Sequence, residues 1–140
     1  MVLKLPQTIY GQIVEQAKRE APIEACGILA GKNYFVARHF EMTNSDNSSD
    51  HFMMEPKEQF GVIKQMRAES LDFLGVYHSH PASPARPSQE DIRLALTGGI
   101  AYVIVSLLDN LKPVIKAFNI ENGNVSEINI QIVSNTDENS

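Results

Sequence analysis

Two histidines, a serine and an aspartate stand close together near the middle of this chain, in the order His-x-His-x7-Ser-x2-Asp. They are His78, His80, Ser88 and Asp91, within the segment YHSHPASPARPSQED. Two imidazoles and one carboxylate can hold a zinc ion and leave its fourth position to water, as catalytic rather than structural zinc sites do. The spacing therefore predicts a hydrolytic centre with His78, His80 and Asp91 as ligands, and nitrogen and oxygen ligation of this kind favours Zn²⁺.

The elements around the motif explain how these side chains can meet. A strand is predicted over Leu71–His80, and its residues i and i+2 point to the same face, so both imidazoles can reach one ion. The connection that follows contains three prolines, which restrict its shape. A helix is then predicted from Ser88 to about Thr97, ended by Gly98-Gly99. Ser88 and Asp91 also fit a helix N-cap box, and capping is compatible with a role for Ser88 in the site.

The rest of the chain alternates between helical and extended patterns. Apolar periodicity predicts two further helices, over 6–20 and 56–69, and strands over 25–30, 34–40, 52–54, 100–108, 114–120 and 125–133. This mixture predicts an α/β fold with three layers, α/β/α, around one mixed central sheet. We expect one domain over 1–134 and a flexible C-terminal tail over 135–140.

Composition narrows the setting of the protein. The net charge of −5 disfavours nucleic acid and anionic membranes as partners. The sequence has no apolar run of the roughly 18 residues that a membrane span needs, and its N-terminus lacks the apolar core of a signal peptide. The single cysteine, Cys26, excludes an intrachain disulfide and all-thiolate zinc sites. These features predict a cytoplasmic protein.

A hydrolytic zinc site also needs a general base, and Glu24, just before the apolar segment ACGILA, is the best upstream candidate. With Glu24 included, the chain resembles the JAMM (MPN-plus) metalloproteases of compact prokaryotic type. That family's pattern is an upstream Glu followed by H-S/T-H-x7-S-x2-D. The segments PIEACGILAG and GVYHSHP resemble the family as well, and the resemblance spans essentially the whole chain.

The resemblance implies a fold related to that of the cytidine deaminases, and an activity. Zinc would be bound by the three ligands, Glu24 would take a proton from the attacking water and pass it to the leaving amine, and Ser88 would stabilise the oxyanion. The implied substrate is a ubiquitin-like or sulfur-carrier protein, cut after its C-terminal Gly-Gly. Two alternatives stay open: a hydrolase of other short peptides or cell-wall fragments, and a non-catalytic MPN-type binding or scaffold domain. The oligomeric state is open, with a homodimer as one candidate.

Two further residues have competing interpretations. Asn44 lies in the polar loop 41–51, which is either a flap that contacts substrate or an ordinary solvent loop; Asn44 is the predicted substrate contact. Cys26 lies two residues from Glu24 in the sequence. One interpretation is regulation, in which its thiolate approaches the metal and blocks the position of the water. A cysteine in so apolar a strand is more often part of the core.

Overall fold

The computed structural model describes residues 2–95 and 97–135. It contains seven strands and three helices within those ranges: β1 (Val2–Pro6), α1 (Gln7–Glu20), β2 (Cys26–Lys32), β3 (Phe35–Met42), α2 (Pro56–Ala68), β4 (Asp72–His80), α3 (Gln89–Leu94), β5 (Ala101–Ser106), β6 (Val114–Glu121) and β7 (Asn124–Val133). Within the described ranges, no helix is long and apolar enough to cross a membrane.

All seven strands belong to one mixed sheet, in the order β1-β3-β2-β4-β5-β6-β7. Strand β4 lies inside the sheet, antiparallel to β2 and parallel to β5. Strand β1 runs parallel to both β7 and β3, and its pairing of Lys4 with Phe35 closes the sheet into a ring. The mixed sheet confirms the predicted α/β fold, whereas its closure was not predicted.

The strand that closes the ring, β1, is absent from the sequence-based prediction. Its Leu3 and Leu5 are almost completely buried. Five residues that end in Pro6 offer little periodicity, and the proline suggests the start of a helix instead. Pairing with β7, more than 120 residues away in the sequence, is what makes this segment a strand.

Helices cover both faces of the sheet. The buried face of α1, with Ile13 and Ala17, packs on a core that includes Tyr77 and Val103. Helix α2 covers the opposite face through Met66, and α3 lies on that second face near the partly buried Ile92. This arrangement gives the three layers that the sequence predicts.

The predicted strand over 52–54 is not formed, and of it only Met54 makes an isolated bridge, with Asn44. Several predicted boundaries also differ from those observed. Helix α3 ends at Leu94 rather than near Thr97, and Ala95 is its C-cap; Leu96 lies outside the described residues. The predicted tail, 135–140, also lies outside them except for Asn135. The side chain of Asn135 accepts a hydrogen bond from the Thr8 amide at the start of α1 (3.2 Å), so this residue is bound to the domain.

Candidate metal centre

The pairing of β2 with β4 brings Glu24 to the two histidines. Cys26 lies opposite His78 in this antiparallel pair, so continuing the register by two residues sets Glu24 beside His80, on the same face. Ser79 makes the last contacts of the pair: its amide donates to the Ala25 carbonyl (2.9 Å), and its Oγ accepts from the Ala25 amide (2.8 Å). Glu24, 54 positions before His78 in the sequence, thus lies beside the motif.

The predicted ligand atoms form a compact triangle. His78 Nε2 and His80 Nε2 are 3.2 Å apart, and each is 3.1 Å from Asp91 Oδ2. Donor atoms at about 2.1 Å from a zinc ion in a tetrahedral arrangement lie about 3.4 Å from one another. The triangle therefore fits a zinc ion after each side widens by about 0.2–0.3 Å. All three side chains are at most 7% exposed.

Hydrogen bonds outside the triangle hold two of the ligands. His80 Nδ1 lies 2.8 Å from the Pro84 carbonyl oxygen, so Nδ1 carries the hydrogen and Nε2 is free to bind a metal. The Asp91 carboxylate accepts from the Ser88 amide (2.9 Å), and Ser88 Oγ accepts from the Asp91 amide (3.0 Å). This reciprocal pair is the predicted N-cap box of α3. It leaves the Ser88 hydroxyl hydrogen available for another acceptor.

The third predicted ligand, His78, is held by packing. The Phe52 ring stacks on the His78 ring, with centroids 4.7 Å apart and planes inclined by 28°. His78 Nδ1 is buried and, among the described residues, has no hydrogen-bond partner. Phe52 could not be predicted as a site residue, because no local pattern connects the end of a polar loop to a distant strand.

The electrostatics of the triangle suit a bound cation. Burial lowers the pKa of His78 against the opposing effect of Asp91, so this imidazole is neutral and able to ligate. Burial also lowers the pKa of His80, but the hydrogen bonds with Asp91 and the Pro84 carbonyl outweigh it and raise the pKa overall. Burial disfavours ionised Asp91, yet hydrogen bonds with both histidines and the Ser88 amide lower its pKa strongly. Asp91 is therefore a carboxylate.

Glu24 is a second acidic group directed at this site. Its side chain is 2% exposed, and its Oε1 has no hydrogen-bond partner among the described residues. Burial raises its pKa from 4.5 to about 8; the charge of His80 opposes this shift, and that of Asp91 adds to it. A buried carboxylate oxygen without a partner, in a site with three predicted ligand atoms, is suited to hold a water or a cation.

The structure separates Asn44 and Cys26 from this arrangement. Asn44 is 6% exposed, and its side chain bonds to main-chain atoms of its own loop and of Glu24. This geometry does not favour the predicted contact with substrate. Cys26 is fully buried, and burial raises its thiol pKa to about 12. So little thiolate forms at neutral pH that the core interpretation is favoured over regulation.

A largely apolar groove of about 680 Å³ begins at the site. His78 and Asp91 form part of its wall. The other lining residues are contributed by the segment before α2 and Gln59 of α2, by strands β4, β5 and β6, and by Pro87, α3 and the loop after it. Such a groove can hold an extended chain that reaches the ligand atoms.

Comparison with known proteins agrees with this geometry. Residues 6–121 match the family described as prokaryotic homologs of the JAB domain. The chain is 33% identical over 134 residues to the CysO-cysteine peptidase of Mycobacterium tuberculosis, covering 94% of this chain and 92% of that protein. It is 30% identical to the desampylase of Pyrococcus furiosus, with 93% and 90% covered. The solution structure of a Desulfitobacterium hafniense protein superposes with a TM-score of 0.89 at 38% identity, covering 99% and 97%. The chain therefore belongs to the prokaryotic JAB family and is a peptidase.

Proposed function

We propose that this chain is a zinc-dependent peptidase or isopeptidase that hydrolyses the bond after the C-terminal Gly-Gly of a ubiquitin-like or sulfur-carrier protein. The observation that carries the proposal is the triangle of His78, His80 and Asp91, with the unpartnered carboxylate oxygen of Glu24 beside it. Three ligands leave the fourth position of a zinc ion open, as hydrolysis requires.

When bound, zinc would polarise the scissile carbonyl and acidify a water. Glu24 acts as the general base: its Oε1 takes a proton from the attacking water and passes it to the leaving amine. Ser88 donates its free hydroxyl hydrogen to the carbonyl oxygen as negative charge develops there.

The groove and the relatives support the substrate class. An extended C-terminal tail can lie along the apolar groove and bring its terminal bond to the ligand triangle, where His78, Asp91 and the stacked Phe52 line the site. Relatives that match most of this chain are named for cleaving a CysO–cysteine conjugate, for desampylation and for cleaving TtuB–protein conjugates. These names support a small protein carrier as the partner. The predicted cytoplasmic location, without nucleic acid or membrane partners, belongs to the same proposal.

The test uses a small sulfur-carrier protein that is extended past its Gly-Gly by a short peptide. It is incubated with zinc-loaded protein, with the Glu24→Gln variant, and with wild type plus chelator, and the products are identified by intact mass. Cleavage after Gly-Gly should require both zinc and Glu24. A Glu15→Gln variant is the matched control, because this glutamate is exposed on α1 and should not affect turnover.

Other results would redirect the proposal. Near wild-type turnover by Glu24→Gln would disprove the assigned base. Cleavage of unrelated short peptides at equal rates would favour the broader hydrolase. Absence of cleavage across carrier proteins and peptides, with one zinc tightly bound, would favour a binding or scaffold role.

A further inference from the structure

The side chain of Asn44, in the irregular segment between β3 and α2, makes five main-chain hydrogen bonds. Its Nδ2 donates to the carbonyl oxygens of Glu24 (3.1 Å), His51 (3.0 Å) and, at a longer distance, Ser48 (3.4 Å). Its Oδ1 accepts from the amides of Asp46 (3.1 Å) and Met53 (3.2 Å). A carboxamide has two donor hydrogens and two acceptor lone pairs, so these bonds use its full capacity.

These bonds give Asn44 a direct hold on Glu24. The Glu24 carbonyl accepts from Asn44, and the Glu24 amide donates to the carbonyl of Ser48, a residue of the loop that Asn44 organises (2.8 Å). Glu24 precedes β2, which begins at Cys26, so the strand itself does not fix its main chain. The loop therefore supplies the constraint that the sheet does not.

We propose that Asn44 is a positioning residue for the peptidase reaction: by fixing the main chain of Glu24, it holds the carboxylate in reach of the metal centre without touching the substrate. The inference rests on the proposed function, in which Glu24 is the general base. Misplacement of a reacting group by about 1 Å can cost about 10²-fold in rate. Loss of Asn44 should therefore lower kcat by about 10–100-fold, with KM changed by less than about twofold, since no substrate contact is removed.

The kinetic test combines Asn44→Ala with Glu24→Gln. If Asn44 acts through Glu24, adding Asn44→Ala to the Glu24→Gln variant should reduce its residual kcat by less than about twofold, because the group that it positions no longer acts as a base. Asn44→Asp keeps the two acceptor bonds but loses the donors to Glu24 and His51, so it should lose as much as Asn44→Ala. Val36→Ala, a buried truncation in β3, controls for lost stability and should keep kcat near wild type.

A second readout requires no turnover. Amide hydrogen exchange in the metal-free protein should show faster exchange at Glu24, Asp46 and Met53 in Asn44→Ala, and unchanged exchange at these amides in Val36→Ala. Zinc stoichiometry should stay at one per chain in Asn44→Ala.

The outcomes separate the inference from the proposed function. Wild-type kcat in Asn44→Ala, or wild-type protection of the Glu24 amide, would overturn the inference while leaving the function intact. A full multiplicative loss in the double variant would also overturn it, because Asn44 would then act independently of Glu24. Near wild-type kcat in Glu24→Gln would instead overturn the function. If the wild type does not cleave the carrier substrate, the exchange of the Glu24 amide decides the inference.

Discussion

Replacing Glu24 by Gln should stabilise the metal-free protein, and this stabilisation should grow with pH. Burial raises the pKa of Glu24 to about 8 in the folded protein, against 4.5 for an ordinary glutamate. A carboxyl group with a raised folded-state pKa binds its proton more tightly when folded, so stability is lost as pH rises from 4.5 to 8. Glutamine keeps the shape of the protonated acid and does not ionise.

The size of this effect follows from the difference in pKa. One pKa unit corresponds to about 1.4 kcal/mol, so the full shift amounts to about 5 kcal/mol above pH 8 and about 3 kcal/mol at pH 7. The advantage of Glu24→Gln should therefore be close to zero at pH 4.5 and reach its plateau above pH 8. The histidines and Asp91 titrate in both proteins, so their contributions largely cancel in the difference.

Chemical denaturation from pH 4.5 to 9 in chelator measures the two free energies of unfolding. The exposed Glu15→Gln variant is the control and should follow the wild type at every pH. Added zinc should shrink the advantage of Glu24→Gln, because a cation at the ligand triangle favours the glutamate anion. Parallel stability curves for wild type and Glu24→Gln between pH 5 and 9 would refute the placement of a buried carboxyl group beside the triangle.

Five further substitutions, at four positions, test the site. Alanine at His78 or at Asp91 should abolish zinc binding and activity together, as measured by metal analysis and cleavage of the same sample, and retained stoichiometric zinc would contradict the ligand set. Ser88→Ala should reduce turnover by about 10²–10³-fold and cost about 1 kcal/mol of stability through the lost cap; a loss of stability with unchanged turnover would leave only the capping role. Ser79→Ala removes the acceptor of the Ala25 amide, so hydrogen exchange of that amide should become faster and kcat should fall. Ser79→Thr keeps the hydroxyl and should restore both the slow exchange and kcat. Equal kinetics in the two variants would argue against the hydroxyl contact.

The clustering of His78, His80 and Asp91 was predictable because these residues are close in sequence. Two residues at i and i+2 on a strand, followed by a proline-rich loop and a helix start, bring their side chains together under local geometric rules alone. Glu24 could be named as a candidate base from its place in the chain and from the family pattern, but its position beside the histidines depends on the register of β2 against β4. Local sequence contains no information about which residues of two strands will lie opposite each other.

Strand β1 and the burial of Asn44 were not predicted, because both depend on contacts with residues distant in the sequence. Strand β1 is defined by pairing with β7 and β3, and its five residues carry too weak a pattern alone. Asn44 looks like a surface residue because polar neighbours surround it, yet long-range main-chain bonds bury it. Helix α3 stops before Gly98-Gly99, the stop signal on which the sequence-based boundary depended.

The short helix α3 extends from the predicted metal ligand Asp91 to the wall of the groove. Its six residues include none that is fully buried, and a helix of this length has little stability alone. Asp91, in the first turn of α3, would bind the metal, while Leu94 and Ala95 at the other end of the helix line the groove. We therefore expect metal and substrate to bind cooperatively, each raising the affinity for the other by the same factor. A zinc-free molecule would then lose affinity for the carrier tail as well as its chemistry, which would keep inactive enzyme from sequestering substrate.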